Sequence, residues 1–367
     1  MHRPLQTFFR LALLVFLASG CATRYIQRSP DVPSSIGLER VPEAIEKAEA
    51  ALLENKPQVA LDWMRIASVL KGMPGDQRSK VQRLLEISAD RFIKTVSDSN
   101  ESAEILAEVL DLDLPRQIAV TGAIAGAQKY MDRKAYQEAV LLIQRIDRRF
   151  PSHHLRPEAG RMLLEAGLTM TSMKGGWLDA HRDHGIAALE YVSINYPTTI
   201  GGELALQELG RLYEEDQRWE LAISRHEELT QNFPNSSLVE DSLARIPHLR
   251  LASIESPEYD RKAIINARVD LQRWLDDYAG HPATEQVKFD LRDALIRLSE
   301  SDLVISDFHK TIKNNFGARF HAERALVEAK LAQDEKRIAR AEQILKRLPA
   351  EQAAPFSSEA PAGEKAP

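Results

Sequence analysis

Three residues recur at fixed intervals in the middle of this chain. Tyr130, Ala139 and Pro151 are separated by nine and twelve residues, and so are Tyr213, Ala222 and Pro234. A spacing kept twice in one chain calls for a repeated unit, and units too small to bury an apolar face alone must stack on their neighbours. The second copy shows the physics. Leu206, Leu209 and Tyr213 share one helical face, and Gly210 lets a second helix come close. Small Ala222 sits where the two helices would cross, with Trp219, Ile223, Leu229 and Phe233 filling the space around it. Pro234 cannot continue the helix, so the chain turns at "PNSS".

Leu206, Leu209, Gly210 and Tyr213 reproduce the W-x2-L-G-x2-Y pattern of a tetratricopeptide repeat with Leu in place of Trp, so the stretch resembles that family. Upstream, Tyr130, Tyr136, Ala139, Ile143, Ile146, Phe150 and Pro151 repeat the pattern. Leu189, Val192, Tyr196 and Pro197 give a third copy, and Ala267, Leu271, Trp274 and Tyr278 a fourth. The markers Phe150, Tyr196, Phe233 and Tyr278 lie 46, 37 and 45 residues apart, where the ideal repeat is about 34. The excess predicts loops or longer helices around 172–185 and 245–260, the expected family-specific surfaces. Composition agrees with helices: 44% hydrophobic, 28% charged and only 6% aromatic residues, with 17 Gly and 18 Pro in 367 positions. The fold class expected is all-α, a tetratricopeptide-type helical-hairpin solenoid.

The array is expected at 117–349, preceded by degenerate helical repeats at 41–116. Near the end, an "NFG" turn at 315–317 would join two helices. The helix with Ile338, Ala341, Ile344 and Leu345 on one side would then cap the stack. The tail 350–367 has no periodicity and is expected to be disordered.

The N-terminus reads as an address. Arg3 and Arg10 precede the apolar run Leu11 to Leu17, which is followed by Ala18, Ser19, Gly20 and Cys21, the one cysteine of the chain. The run is far short of the ~20 residues that span a bilayer. The order resembles a bacterial lipoprotein signal, and the resemblance implies a signal peptide at 1–20 and a diacylglyceryl group on the Cys21 sulfur. Ala22 in place of Asp after that cysteine implies export to the outer membrane, anchored at its periplasmic face. Residues 21–40, with two Pro, several Ser and little periodicity, are expected to form a flexible tether.

Lipobox, tether and repeats ending "RRFPS", "INYPTT" and "QNFPNSS" together resemble the BamD type of outer-membrane lipoprotein, most closely from Gln117 to Leu348. The resemblance implies a partner of a BamA-like barrel in outer-membrane β-barrel assembly. The chain departs from that pattern in about 90 additional residues before the match, and in Arg319 or Phe320 where a small Ala is usual. The alternatives are a general scaffold of a secretion, pilus or polysaccharide-export complex, or an enzyme with a cryptic site.

The motifs for catalysis are missing. No G-x-G-x-x-G, P-loop or G-x-S-x-G occurs. "HEELT" at 226–230 begins like a zincin helix, but Thr230 stands where the second His belongs, and His226 reads as a partly exposed residue of the packing face. His181, Asp183 and His184 offer an i, i+3 pair without a third ligand and read as a solvated loop; "SHH" at 152–154 reads as an exposed turn. The pairs Glu214 with Glu215 and Asp276 with Asp277 read as solvated helix faces. The expectation is no catalytic site, no metal and no cofactor. A net charge of −6 without a basic stripe argues against nucleic acid as a partner. The function expected is a scaffold that binds protein partners or extended peptides in a groove lined by the first helices of each hairpin. Gln207, Arg211 and Glu214 lie off the core stripe and face either that groove or bulk solvent.

Overall fold

The computed structural model describes residues 25–97, 99, 101–173, 180–254 and 261–349. Cys21, the segment before it and the tail 350–367 lie outside the described residues. Everything described is helix, turn or loop, and the chain divides into two compact units, Met1–Gly201 and Gly202–Pro367. The expected boundary at 116/117 falls inside the first.

Among the described residues eight α-helices belong to the first unit: α1 (Val41–Leu53), α2 (Pro57–Ser68), α3 (Gly75–Ser97), α4 (Ser102–Glu108), α5 (Arg116–Asp132), α6 (Tyr136–Arg149), α7 (Arg156–Ser172) and α8 (His181–Asn195). The second unit begins within α9 (Ile200–Glu215) and continues through α10 (Trp219–Asn232), α11 (Val239–Ala252), α12 (Arg261–Asp277), α13 (Thr284–Thr311), α14 (Asn315–Leu331) and α15 (Glu335–Arg347). Within each unit most consecutive helices pack against each other. In addition, α1 touches α3, α3 touches α5 and α5 touches α7 in the first unit, while α11 touches α13 and α13 touches α15 in the second. Within each unit these odd-numbered helices therefore run side by side, as stacked hairpins require.

Two kinds of turn alternate to make this pattern. Five helices end in the same left-handed residue: Asn55, Lys134, Gln217, Lys313 and Gln333, with φ between 55° and 61°. In each, the following amide donates to the carbonyl five residues back: Lys56 to Ala51, Ala135 to Tyr130, Arg218 to Tyr213, Asn314 to His309 and Asp334 to Ala329, at 2.8–3.0 Å. That is the Schellman arrangement, which satisfies the last carbonyls of one helix and starts the next immediately. The other turn carries the aromatic markers. The amides of Phe150, Tyr196, Phe233 and Tyr278 each donate to the carbonyl four residues back, and their own carbonyls accept from His153, Thr199, Ser236 and His281. Pro151, Pro197 and Pro234 follow three of them; their fixed φ suits the second position of a turn and bars further helix.

The longer spacings now have a place. Between α9 and α10 the Schellman turn is intact, and the markers are 37 apart; between α7 and α8, and between α11 and α12, longer connections replace it. The expected insertions shrink accordingly. Residues 181–185 open α8, and α11 runs on to Ala252 through a buried Pro247, so the additions reduce to 173–180 and 253–260. Likewise "NFG" is the first turn of α14 and not a loop. The Asn314 side chain accepts from the Gly317 amide at 3.0 Å and caps the helix, and the reversal itself is at Lys313.

The tether expected at 21–40 is corrected from residue 25 onward. The amides of Tyr25 and Ile26 donate to the Glu108 carboxylate at 2.8 and 2.7 Å, and Ser29 donates to Asp62 Oδ2 through both its amide and its hydroxyl. Val32 and Ile36 are buried in the same core as Val41, Ala44, Leu61 and Trp63. The arm has no periodicity because it is held by carboxylates and two single aliphatic anchors. At the other end, α15 packs on α14 with Ala341 and Ile344 buried, as the capping role requires.

Candidate functional site

In the second unit, α9, α11 and α13 turn their polar faces toward one another across an open groove of about 480 Å³. Gln207, Arg211 and Glu214 of α9 all line it; the repeat register that puts Leu206, Leu209 and Tyr213 in the core leaves these three on the groove side. Across from them stand Asp241, Arg245 and His248 of α11 and Gln286 and Asp290 of α13, with Leu238, Ala244, Ala283 and Val287 supplying apolar floor.

Charge in the groove is internally matched. Arg211 Nε donates to Glu208 at 2.9 Å and its guanidinium also meets Glu215, which raises its pKa above the ordinary arginine value. Arg245 Nε donates to Glu214 at 2.8 Å across the gap between α11 and α9. His248 Nδ1 lies 3.0 Å from Asp290, which also accepts from Gln286. Four carboxylates, Glu208, Glu214, Asp241 and Asp290, face two arginines, so the surface offers paired charges with a carboxylate excess.

His226 sits below this surface. It is buried, against the expectation of a partly exposed residue, because its ring fills the space left by Gly210, where a Cβ would fall 2.8 Å from Nε2. Its Nδ1 is 3.2 Å from Ser242 Oγ. A serine next to a histidine invites comparison with a nucleophile and its base. Here burial pushes the imidazole pKa down to about 4, with Glu214 opposing and Arg245 adding to the shift. Nε2 faces Gly210 and not an orienting carboxylate, so the pair is packing in character.

A second polar cluster, in the first unit, escaped the sequence reading. Asp147 of α6 is buried and accepts from Tyr196 at 2.7 Å and Tyr191 at 3.1 Å; His153 Nε2 lies 3.1 Å away and Arg156 at 3.5 Å. "SHH" is thus no exposed turn at its centre, since His153 is 3% exposed. Burial lowers the His153 pKa, and burial followed by the nearby carboxylate pushes Tyr191 up to about 12 and Tyr196 further in the same direction. Arg156 also stacks over the Tyr196 ring at 4.3 Å and donates to the Pro151 and Asn195 carbonyls. The cluster ties two aromatic turns together.

His181 and His184 open α8 and do not form a loop; His184 Nε2 approaches Gln137 at 3.4 Å. Among the described residues, no group of three or more His, Cys, Asp or Glu side chains comes together to hold a metal, and no helix is long and apolar enough to cross a membrane. Asp276 and Asp277 line an open cleft of about 600 Å³ beside α12, with Arg268, Arg273 and Leu291. No protein-family model and no curated protein sequence matches the chain. Solved structures that resemble it include a circular tandem repeat protein with novel repeat topology and enhanced subunit contact surfaces. It is 14% identical over 84% of this chain and 75% of that one, with a TM-score of 0.20, a superposition too loose to bear on fold detail or function.

Proposed function

We propose that this chain is a non-catalytic scaffold of the tetratricopeptide type that holds a segment of a protein partner in the groove between α9, α11 and α13. The observation that carries the reading is the groove itself. Three alternate helices present paired charges, amides and a strip of apolar floor to one open channel, a surface suited to an extended peptide or a partner's helix. The alternation of Schellman and aromatic turns supports the repeat class. The lipobox at Leu17 to Cys21 supports attachment through the Cys21 sulfur at the periplasmic face of the outer membrane. With that address, the partner proposed is a BamA-like barrel or another subunit of the β-barrel assembly machine.

The test is affinity isolation from detergent-solubilised membranes, using the full chain and an Arg211→Glu, Arg245→Glu variant that reverses the two groove cations facing Glu208 and Glu214. The expected outcome is co-purification of a large β-barrel protein with the unsubstituted chain and at least about tenfold less with the variant. Recovery of secretion or pilus subunits in place of a barrel transfers the scaffold to that complex. Equal recovery by both proteins removes the groove from the interaction. Separately, Cys21→Ser releases the chain from membranes and abolishes labelling by a fatty-acid probe; continued labelling refutes the anchor.

A further inference from the structure

The five Schellman turns provide an internal comparison. Directly before the left-handed residue, four of them carry Glu54, Arg133, Asp216 and Ala332; three residues after it, they carry Gln58, Gln137, Glu220 and Lys336. The turn at Lys313 has Ile312 and Phe316 in those places. Phe308 stands one helical turn before Ile312, and Phe320 one turn after Phe316. The four side chains are 59%, 54%, 69% and 47% exposed. The turn does not need them, since four copies form without them.

Ring contacts and a buried carboxylate link the residues at this end of the second unit. Phe308 meets His309 edge-on at 5.7 Å, His309 stacks on His321 at 5.5 Å, and His321 meets Phe320 edge-on at 5.2 Å. His321 Nδ1 lies 2.7 Å from Asp302, a fully buried carboxylate also bound by Arg261. Phe308 and Phe320 therefore stand at the two ends of a row of ring contacts, and Phe316, between them in sequence, is the most exposed of the three.

The surroundings are basic in a chain of net charge −6. Residues 307–324 contain Lys310, Lys313, Arg319 and Arg324 against Asp307 and Glu323; Lys310 and Arg340 share Asp307, Arg319 lies 3.9 Å from Glu323 and Arg324 3.7 Å from Asp302, so the segment keeps a small excess of positive charge beside its ion pairs. Arg319 also donates to the Pro349 carbonyl at 2.7 Å, which brings the last turn of α15, with exposed Lys346 and Arg347, to the same end.

We propose that this hairpin end is a membrane-contact element: Phe308, Ile312, Phe316 and Phe320 enter the interfacial layer of a bilayer while the surrounding Lys and Arg side chains lie among anionic headgroups. The chemistry favours lipid over protein. The apolar groups are phenyl and alkyl, with no hydroxyl or indole N–H to satisfy, and they occupy a turn ringed by cations, the pattern of apolar anchors with a basic collar. Binding anchors for a protein pocket are enriched in Trp, Tyr and Arg at a flat, desolvated centre. The proposal goes beyond the groove and the cysteine anchor and rests on neither.

The test places a reporter at the contact. Full-length protein carrying Phe316→Trp is mixed with vesicles of phosphatidylglycerol and phosphatidylethanolamine, with phosphatidylcholine vesicles as the neutral control. The emission added by this tryptophan over the unsubstituted chain is expected to shift to the blue and to fall at least about twofold when acyl chains are brominated, less on the neutral vesicles. In a Cys21→Ser background, Phe308→Ser, Phe316→Ser and Phe320→Ser together are expected to cost about tenfold or more in vesicle partition, with helical circular dichroism unchanged because none of the three belongs to the buried core and their ring contacts are confined to the surface row. Added emission unquenched on vesicles that hold the protein overturns the proposal. So does a sedimenting dimer that the triple variant dissolves, which would assign the patch to a second copy of the chain.

Discussion

Replacing His226 by Gln tests whether a single buried imidazole sets the acid stability of the second unit. The folded chain surrounds His226 with Gly210 on one side and Ser242 on the other at 8% exposure, and burial lowers its pKa to about 4. In the unfolded chain the same ring titrates near 6.5. As pH falls below that value, the unfolded state takes up a proton that the folded state refuses, so stability present at neutral pH is progressively lost toward pH 4. Linkage puts the loss at about 2 kcal/mol at pH 5 and about 3 kcal/mol at pH 4. Hydrogen exchange on peptides spanning Leu206 to Leu249, corrected for intrinsic rates, reads this directly. Between pH 7.5 and 5 the opening constant of the unsubstituted protein should rise about 30-fold more than that of His226→Gln. His248, His281 and their carboxylate neighbours are common to both proteins and cancel in the comparison. Parallel pH profiles for the two proteins would refute the reasoning, because they would mean that the buried ring is already accommodated as a cation.

The same contact predicts that Gly210→Ala destabilises the second unit by about 1–2 kcal/mol in urea unfolding, although alanine is the better helix former, because the added methyl overpacks the His226 ring. In the first unit, Asp147→Ala leaves Tyr196, Tyr191 and His153 buried around a missing acceptor and should cost about 3–5 kcal/mol, with Tyr196→Phe costing about 1–3 kcal/mol in the same assay. Lys134→Gly and Gln217→Gly, at left-handed positions of φ 61° and 56°, should each raise stability by about 0.5–1 kcal/mol, read as a shift in the urea midpoint without a change in slope.

What could be read from the sequence, and what could not, divides along the physics of the two turns. The aromatic turn is written in side chains: Phe150, Tyr196 and Phe233 are each followed by a proline, and proline's fixed φ and missing N–H make the break visible. The Schellman turn is written in backbone. Its left-handed residue is Asn, Lys or Gln in this chain and never the glycine that would announce it. The hairpins were therefore legible through one of their two ends, and the excess spacings could be placed only once the structure showed which connection had lengthened. Helical period alone turns Gln207, Arg211 and Glu214 away from the buried Leu206, Leu209 and Tyr213 but leaves open whether they meet a groove or bulk solvent; that depends on α11 and α13, which line the same cleft. Buried polar groups broke the pattern. Asp147, His153, His226 and Asp302 look like solvent residues in the sequence, and each is stabilised inside by partners from 6 to 49 positions away. Periodicity counts such residues as surface, so it misplaces exactly those whose hydrogen bonds join one hairpin to the next. The same reasoning makes the turn at Lys313 informative in the opposite direction: Ile312 and Phe316 stand where every other copy of the turn carries a polar side chain or alanine. The turn itself does not require them there, and with Phe308 and Phe320 they make a four-residue apolar patch of the kind the proposed membrane contact would use.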